Sequence, residues 1–359
     1  MIRHARPEAK NELKELKKLF KKIMKNNIRL YEKNEFYHIN KLIKEKNSDN
    51  FFKKVKKTTN KKDVKIEMSI ESIAQHYNLI FNDKLNVDPI VITDINNGIK
   101  DIDIKNFNPI SLELSEFKLA LNMCNLSKVS GNDSISSYMI KNCNNYFIDT
   151  IIFKLFYYIF QFSIIQKDFN ITHIVPIIKD LNKPSNSINN LRPISISNTF
   201  AQIFERILLH KLPILKQTHQ NQFGYKNKTS CSHALFAFKE TIIKHLEEKR
   251  PCFVAKLDAV KAFDKLWREA LYLKMIIANI TINYIILVKI YYDNLHGKVK
   301  MNNIFSNLIK LSRCVKQGGV LSGSLFNFFI NDLIVECYES GYGASFLILS
   351  CVSLVFVMI

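Results

Sequence analysis

The sequence predicts an α+β fold preceded by a basic, helical amino-terminal extension. Three observations carry this. Apolar residues recur at helical spacing through most long segments, short apolar strands are scattered between those helices instead of alternating strictly with them, and charge is concentrated at one end. Residues 1–66 hold 21 Lys/Arg against eight Asp/Glu, a net of +13 out of a formal +20 for the 359-residue chain. With 47% apolar residues most of the chain can bury a core, which excludes a disordered protein. The charge excess favours a polyanionic partner, nucleic acid before membrane, although an A/T-rich coding sequence accounts for part of it.

Residues 8–31 place Leu13, Leu16, Phe20, Ile23 and Met24 on one helical face. Lys14, Lys17, Lys18, Lys21, Lys22 and Lys25 fall mostly elsewhere. Such a basic amphipathic helix either grips phosphates or is a solvated face. Lys53, Lys54, Lys56 and Lys57 form a second basic block before a polar linker at 58–66. From Ser69 the spacing of Ile70, Ile73, Ala74, Tyr77 and Phe81 predicts a helix, and 82–109 reads as connection. The expected division is an extension at 1–66, a helical connection at 67–109 and a main domain at 110–359.

Within that domain the pattern predicts helices at 115–124, 134–145, 147–165, 198–215, 230–248, 281–294 and 320–338. Strands are expected near 171–178, 192–197, 253–258, 297–302 and 309–315. The uncharged stretch from Ser345 to Ile359 is shorter than the roughly 20 residues of a spanning helix and reads as a buried β-hairpin. Seven cysteines, at 124, 143, 231, 252, 314, 337 and 351, lack zinc-finger or C-x-x-C spacing and read as reduced thiols of an intracellular protein. The amino terminus has no apolar run of signal-peptide type.

Three segments bear chemistry. Phe253-Val254-Ala255-Lys256-Leu257-Asp258 followed by Ala259-Val260-Lys261-Ala262-Phe263-Asp264 is an apolar run ending in a carboxylate, which suits a ligand for the paired divalent ions of phosphoryl transfer. Read alone, Asp258 is a cap for the next helix before it is a metal ligand. Gln317-Gly318-Gly319-Val320-Leu321-Ser322-Gly323 is a Gly-rich turn opening an apolar helix, where backbone and one amide can approach a flat ligand. It reads equally as a loop-to-helix junction. Lys179 and Arg192 end and begin two short runs, Ile174-Val175-Pro176-Ile177-Ile178 and Pro193-Ile194-Ser195. Cations held on such a hairpin can receive a triphosphate, or be surface charges.

In this order the segments resemble the reverse transcriptases of non-LTR (LINE-like, jockey-type) retrotransposons. Further matching blocks are Lys128-Val129-Ser130-Gly131-Asn132-Asp133-Ser134-Ile135, then Gln222-Phe223-Gly224-Tyr225-Lys226, and Ile330-Asn331-Asp332-Leu333. The resemblance covers about residues 110–345 and implies the fingers and part of the palm of a right-hand polymerase. It implies an RNA template, a DNA primer, deoxynucleoside triphosphates and two Mg²⁺ ions as partners, in the nucleus or cytoplasm, with no membrane and no obligate protein partner. It assigns Asp258 and the carbonyl of Ala259 to the metals, and Phe263 to a gate against the ribose 2′-OH. Gln317 and Gly318 would line the nucleotide pocket, and Lys179 and Arg192 would clasp the triphosphate. Asp264 is expected to hold the turn instead of metal.

Two departures stand out. Gly323 replaces the family's usual Pro, which is expected to loosen that helix start. The family's next block, aromatic-Ala-Asp-Asp, meets Phe356-Val357-Met358-Ile359 here. The expectation is a chain truncated at that motif, without a thumb and inactive as it stands. A frameshift by one deleted base would produce those residues. The alternative is a non-catalytic nucleic-acid-binding remnant. A viral RNA-dependent RNA polymerase shares the Asp258/Asp264 spacing, but Phe263 would exclude a ribose. A group II intron maturase fits the basic linker less well.

Overall fold

In the computed structural model the hydroxyl of Ser69 accepts the N–H of Ser72 at 3.2 Å and so caps helix α1, Ile70–Phe81. The structure describes residues 66–83, 87–125, 129–143, 146–255, 257, 259–340, 344–346 and 349–351, and nine helical, exposed positions between Glu15 and Tyr37. The chain divides into two units, 1–65 and 66–359.

In the larger unit α1 buries Ile70, Ile73, Tyr77, Ile80 and Phe81, largely the stripe that its spacing predicts. The segment read as connection contains a second helix, α2, Pro89–Gly98. Asp88 caps it by accepting from Ile90 N–H, and Pro89 supplies a fixed φ at its first position. Only Ile95 is buried on it, so the apolar periodicity that reveals a helix is absent. Next come α3, Leu114–Asn122, closed by a Glu113/Glu116 capping box, then α4, Ser137–Asn142, and α5, Tyr146–Phe162.

Strands β1, Ile171–Ile178, and β2, Leu191–Ser197, form an antiparallel hairpin. Helices α6, Thr199–Lys211, α7, Cys231–Glu247, α8, Arg268–Ile277, and α9, Ile282–Asp293, follow; α8 has no counterpart among the expected helices. Strand β3, His296–Met301, lies parallel to β1, and the short strands β4, Ile304–Phe305, and β5, Ile309–Lys310, pair with β3 antiparallel. The sheet order is β2-β1-β3-β4, with β5 beside β4 along β3. Helix α10, Ser322–Glu339, follows. A last hairpin, β6, Ala344–Phe346, with β7, Leu349–Cys351, agrees with the hairpin expected there. The mixed sheet and surrounding helices make this an α+β unit.

One sheet face forms the core. Thr172, Ile174, Leu191, Ser195, Ser197, Val299 and Ile309 all lie on it and are buried. Aromatic contacts carry the core into the helices: Phe204 lies 4.9 Å from Tyr291 and 5.6 Å from Phe160 between ring centroids. Each such fully buried ring contributes about 1.5–3 kcal/mol relative to exposure.

Two strand expectations are corrected. Residues 253–255 and 257 form no strand, and Phe253 is 95% exposed. Strand hydrogen bonds need a neighbouring ladder, and none of the described strands runs beside this segment. The strand expected at 309–315 ends at Lys310. Beyond it the buried guanidinium of Arg268 donates to the carbonyls of Leu311 and Cys314, at 2.7 and 2.9 Å, and Cys314 adopts φ 121°. A side chain has taken the acceptors a ladder would use.

Candidate nucleotide site

The turn after the apolar 253–258 run is held by two backbone bonds to the carbonyl of Lys261, from Asp264 and Lys265 N–H at 3.0 Å each. Lys261 takes φ 55° to allow this. Phe263 then points into the core, 8% exposed. It stacks on Phe326 of α10 at 5.1 Å and meets Tyr225 edge-on at 5.7 Å. Its carbonyl accepts from Val315 N–H at 3.0 Å.

Asp264 is buried, and its Oδ1 accepts from Nε2 of Gln317 at 2.7 Å. Burial pushes its carboxyl up to about 6 from 3.8, against the opposing pull of the Gln317 bond and of Lys261 and Lys179. The expectation that Asp264 organises the turn is extended, because the residue also fixes the amide of the Gly-rich block.

That block is tied on its other side to β2. Ser195 N–H donates to the Gln317 carbonyl at 2.7 Å. Gly318 has φ 105°, and a Cβ there would stand 2.9 Å from the Ser195 carbonyl, so both conformation and space require glycine. The Gly-rich turn therefore lies along the edge of the β1–β2 hairpin that carries Lys179 and Arg192.

Both cations are exposed. Arg192 sits opposite Ile177, and Lys179 N–H continues the ladder to Asn190 O at 2.8 Å. Lys179 Nζ donates to Asn189 O at 3.1 Å. The pKa of Lys261 is lowered by burial and then by Lys179, which brings a third cation to the turn. Arg192 acts on the Tyr225 hydroxyl, whose pKa burial raises and Arg192 opposes.

Beneath the Gly-rich turn lies a polar network that reading the sequence did not single out. Glu205 Oε1 pairs with Lys316 Nζ at 2.6 Å, both side chains fully buried. Oε1 also accepts from the Tyr291 hydroxyl at 2.6 Å, and Lys316 donates to Asn170 Oδ1 at 3.0 Å and to the Tyr291 hydroxyl. Glu205 Oε2 accepts the N–H groups of Val320 and Leu321, at 2.5 and 3.1 Å, the backbone donors just ahead of α10. The signal was a glutamate amid the apolar stripe of α6, three residues before Leu208 and four after Ala201.

The remaining blocks interlock in the same manner. Asn198 Oδ1 accepts from Asn132 N–H at 2.7 Å, and a Cβ on Gly131 would overlap Asn198. Gln222 Nε2 donates to Asn327 Oδ1 at 2.8 Å, while Asn327 Nδ2 donates to Gly224 O at 2.6 Å. Tyr225 lies against Gly323, where a Cβ would stand 2.5 Å from the ring. The tyrosine ring thus occupies the space beside Gly323 in the first turn of α10.

Asp258 lies outside the described residues, as do Lys14, Lys17, Lys53, Lys54, Lys56 and Lys57. Ala259 is exposed, and Lys18, Lys21 and Lys22 are helical and exposed, with Lys18 paired to Glu15 at 2.8 Å. Among the described residues no group of three or more His, Cys, Asp or Glu could hold a metal, and no helix is long and apolar enough to cross a membrane.

Residues 181–350, which include the Asp264–Gln317 junction, match the model of the reverse transcriptase (RNA-dependent DNA polymerase) family. Over these residues the chain is similar to the reverse transcriptase domain of non-LTR retrotransposons. It is 24% identical over 231 residues to a probable RNA-directed DNA polymerase from transposon BS of Drosophila melanogaster, covering 63% of this chain and 25% of that protein. It is 26% identical over 164 residues to a probable RNA-directed DNA polymerase from transposon X-element of the same organism, covering 45% and 18%. The RNA-directed DNA polymerase from mobile element jockey, also from Drosophila melanogaster, is 23% identical over 230 residues, covering 63% and 25%. The chain thus spans about a quarter or less of the length of these relatives. The reverse transcriptase match ends at residue 350, inside β7, and takes in the whole sheet after β1.

Proposed function

We propose that this reverse transcriptase domain binds a deoxynucleoside triphosphate between the Gln317–Gly318 turn and the Phe263–Asp264 turn, and adds it to a DNA primer on an RNA template. The observation that carries the reading is Gln317, whose amide is fixed by Asp264 while its carbonyl is fixed by Ser195. Three segments far apart in sequence are joined there around a backbone stripped of side chains. Lys179 and Arg192, on the adjoining hairpin, are the cations for the triphosphate. Phe263, braced by Tyr225 and Phe326, is the bulk that excludes a ribose 2′-OH.

Asp264 already accepts from Gln317, and burial favours its neutral form, so it is a poor metal ligand. Mg²⁺ falls to Asp258 and the carbonyl of Ala259. Bound there, it would supply activation of the primer 3′-oxygen and stabilise the leaving pyrophosphate. Calorimetric titration of the full chain with a deoxynucleoside triphosphate and Mg²⁺ tests the reading. Gln317→Ala and Lys179→Ala/Arg192→Ala are expected to weaken binding about tenfold or more, as loss of charge-assisted bonds does. A chain that binds RNA yet no nucleotide would instead be a nucleic-acid-binding protein only.

A further inference from the structure

Helix α1 ends against the turn that carries Phe263 and Asp264. Asp83, two residues past the helix, pairs with Lys265 Nζ at 2.9 Å. The N–H of Arg313 donates to the Phe81 carbonyl at 3.0 Å, and the Asn82 amide donates to Lys310 O at 2.9 Å. The helix is thereby fixed to the Asp264 turn on one side and to residues 310–313 on the other. Tyr77 is 1% exposed, and burial and then the Asp264 carboxylate raise the pKa of its hydroxyl.

His76 lies two turns of helix, about 10 Å, before Asp83. Its half-buried ring neighbours that of Tyr77, at 6.1 Å between centroids, and has no hydrogen bond among the described residues. Burial, then Lys261, then Lys179 lower its pKa. Lys261 is half-buried as well, and Lys179 is the charge that most opposes its own. Side chains from three segments, α1, the β1 end and the turn, therefore bring their nitrogens to one place.

Like charges gathered in a half-buried place disfavour one another's charged forms and cost the free chain stability. The neighbouring carboxylates are engaged already: Asp264 accepts from Gln317, and Asp83 pairs with Lys265. A merely solvated basic surface is the plainer alternative, but it gives no reason to press Lys261 toward Lys179 beside an imidazole with an open ring edge. An anion placed among the three relieves their repulsion and accepts from each of them.

We propose that His76 of α1, together with Lys261 of the turn, binds the phosphate tail of the incoming nucleotide beside Lys179 and makes the site selective for a triphosphate. The inference rests on the functional reading above and adds a contact from a helix that precedes the residues matching the family. Calorimetric titration of the full chain with deoxythymidine triphosphate at fixed Mg²⁺, and competition by the monophosphate, give the ratio of the two affinities. The variants are His76→Ala, which suits a helix, and Lys261→Asn, which tolerates the φ of 55° at that position. Each is checked for folding by circular dichroism.

Each variant is expected to bind the triphosphate about tenfold more weakly and the monophosphate nearly as well as the unaltered chain. His76→Arg keeps N–H donors and adds a charge, so it should retain the triphosphate affinity. Equal losses on both nucleotides, or a loss with arginine as large as with alanine, would give these side chains a structural role and overturn the inference. An unchanged triphosphate affinity in both variants would overturn it too. All three outcomes leave the functional reading intact, whereas an unaltered chain that binds neither nucleotide would strike both together.

Discussion

Glu205 and Lys316, from α6 and from the residue just before the Gly-rich turn, form an ion pair of 2.6 Å with no solvent exposure on either side chain. One carboxylate oxygen faces Lys316 and Tyr291, and the other accepts the N–H groups of Val320 and Leu321 just ahead of α10. The pair therefore anchors the Gly-rich turn on both sides, at Lys316 and at Val320 and Leu321. Removing one partner strands the other charge in the interior, at a cost of about 3–5 kcal/mol. Glu205→Gln and Lys316→Met are each expected to lose that much in urea unfolding, and the double variant much less than the sum. Additive losses would deny the coupling. Burial works to raise the Glu205 pKa, but Lys316 and the hydrogen bonds outweigh it and hold it below 4.5. A depressed folded-state pKa adds stability above the unfolded value, so this contribution should fade as pH falls below 4.5.

Asp264 should show the opposite sign. Its carboxyl is raised from 3.8 to about 6, so the folded state holds more protons than the unfolded one between those values. Stability contributed by this group falls as pH rises through that window and is level above it. Asp264→Asn keeps an acceptor for Gln317 and removes the buried charge. It is expected to stabilise the chain at pH 7.5 by at most about 3 kcal/mol, at 1.36 kcal/mol per pH unit. Melting temperatures of both proteins from pH 4 to 8 check this, and a parallel pair of curves would refute the assignment.

Gly318→Ala combines a φ of 105° with a Cβ 2.9 Å from the Ser195 carbonyl, and backbone cannot yield as a side-chain tip can. A loss of about 1–3 kcal/mol is expected, with nucleotide affinity reduced further than stability. Gly323→Ala meets the ring of Tyr225 instead. Its destabilisation should be largely relieved in Gly323→Ala/Tyr225→Leu, measured as a double-variant cycle in urea. An equal cost in both backgrounds would show that the ring is not the obstacle.

Phe263→Val tests the sugar gate. If the ring excludes the 2′-OH, the smaller side chain should raise ribonucleotide affinity relative to the matching deoxyribonucleotide, even though the loss of stacking on Phe326 also lowers stability. An unchanged ratio, measured by competition under conditions where both proteins are folded, would remove Phe263 from that role.

Deleting 1–66 removes 21 Lys/Arg and eight Asp/Glu. Affinity for RNA of any sequence should drop, and its dependence on salt should flatten, because fewer counterions are released on binding. A salt slope unaltered by the deletion would show that the extension does not hold the phosphates.

Local pattern alone determined the α+β class, the hairpin of β1 and β2, most helices of the larger unit and the order of the blocks that mark the family. Those features depend on residue spacing along one element, which a sequence displays directly. It failed at α2, whose buried side is a single residue, and at 253–258, where an apolar run has no ladder beside it among the described residues. The site was legible as motifs but not as a junction. Gln317 was named from its Gly-rich context, whereas its fixation by Asp264 and Ser195, and the Glu205–Lys316 pair beneath it, join residues 53 to 122 positions apart. Likewise it is the register that puts Lys298 and Lys300 on one face with His173 and Phe305. Hydrogen bonds, ion pairs and shared faces between distant segments leave no periodicity in the chain, so only the tertiary structure decides them.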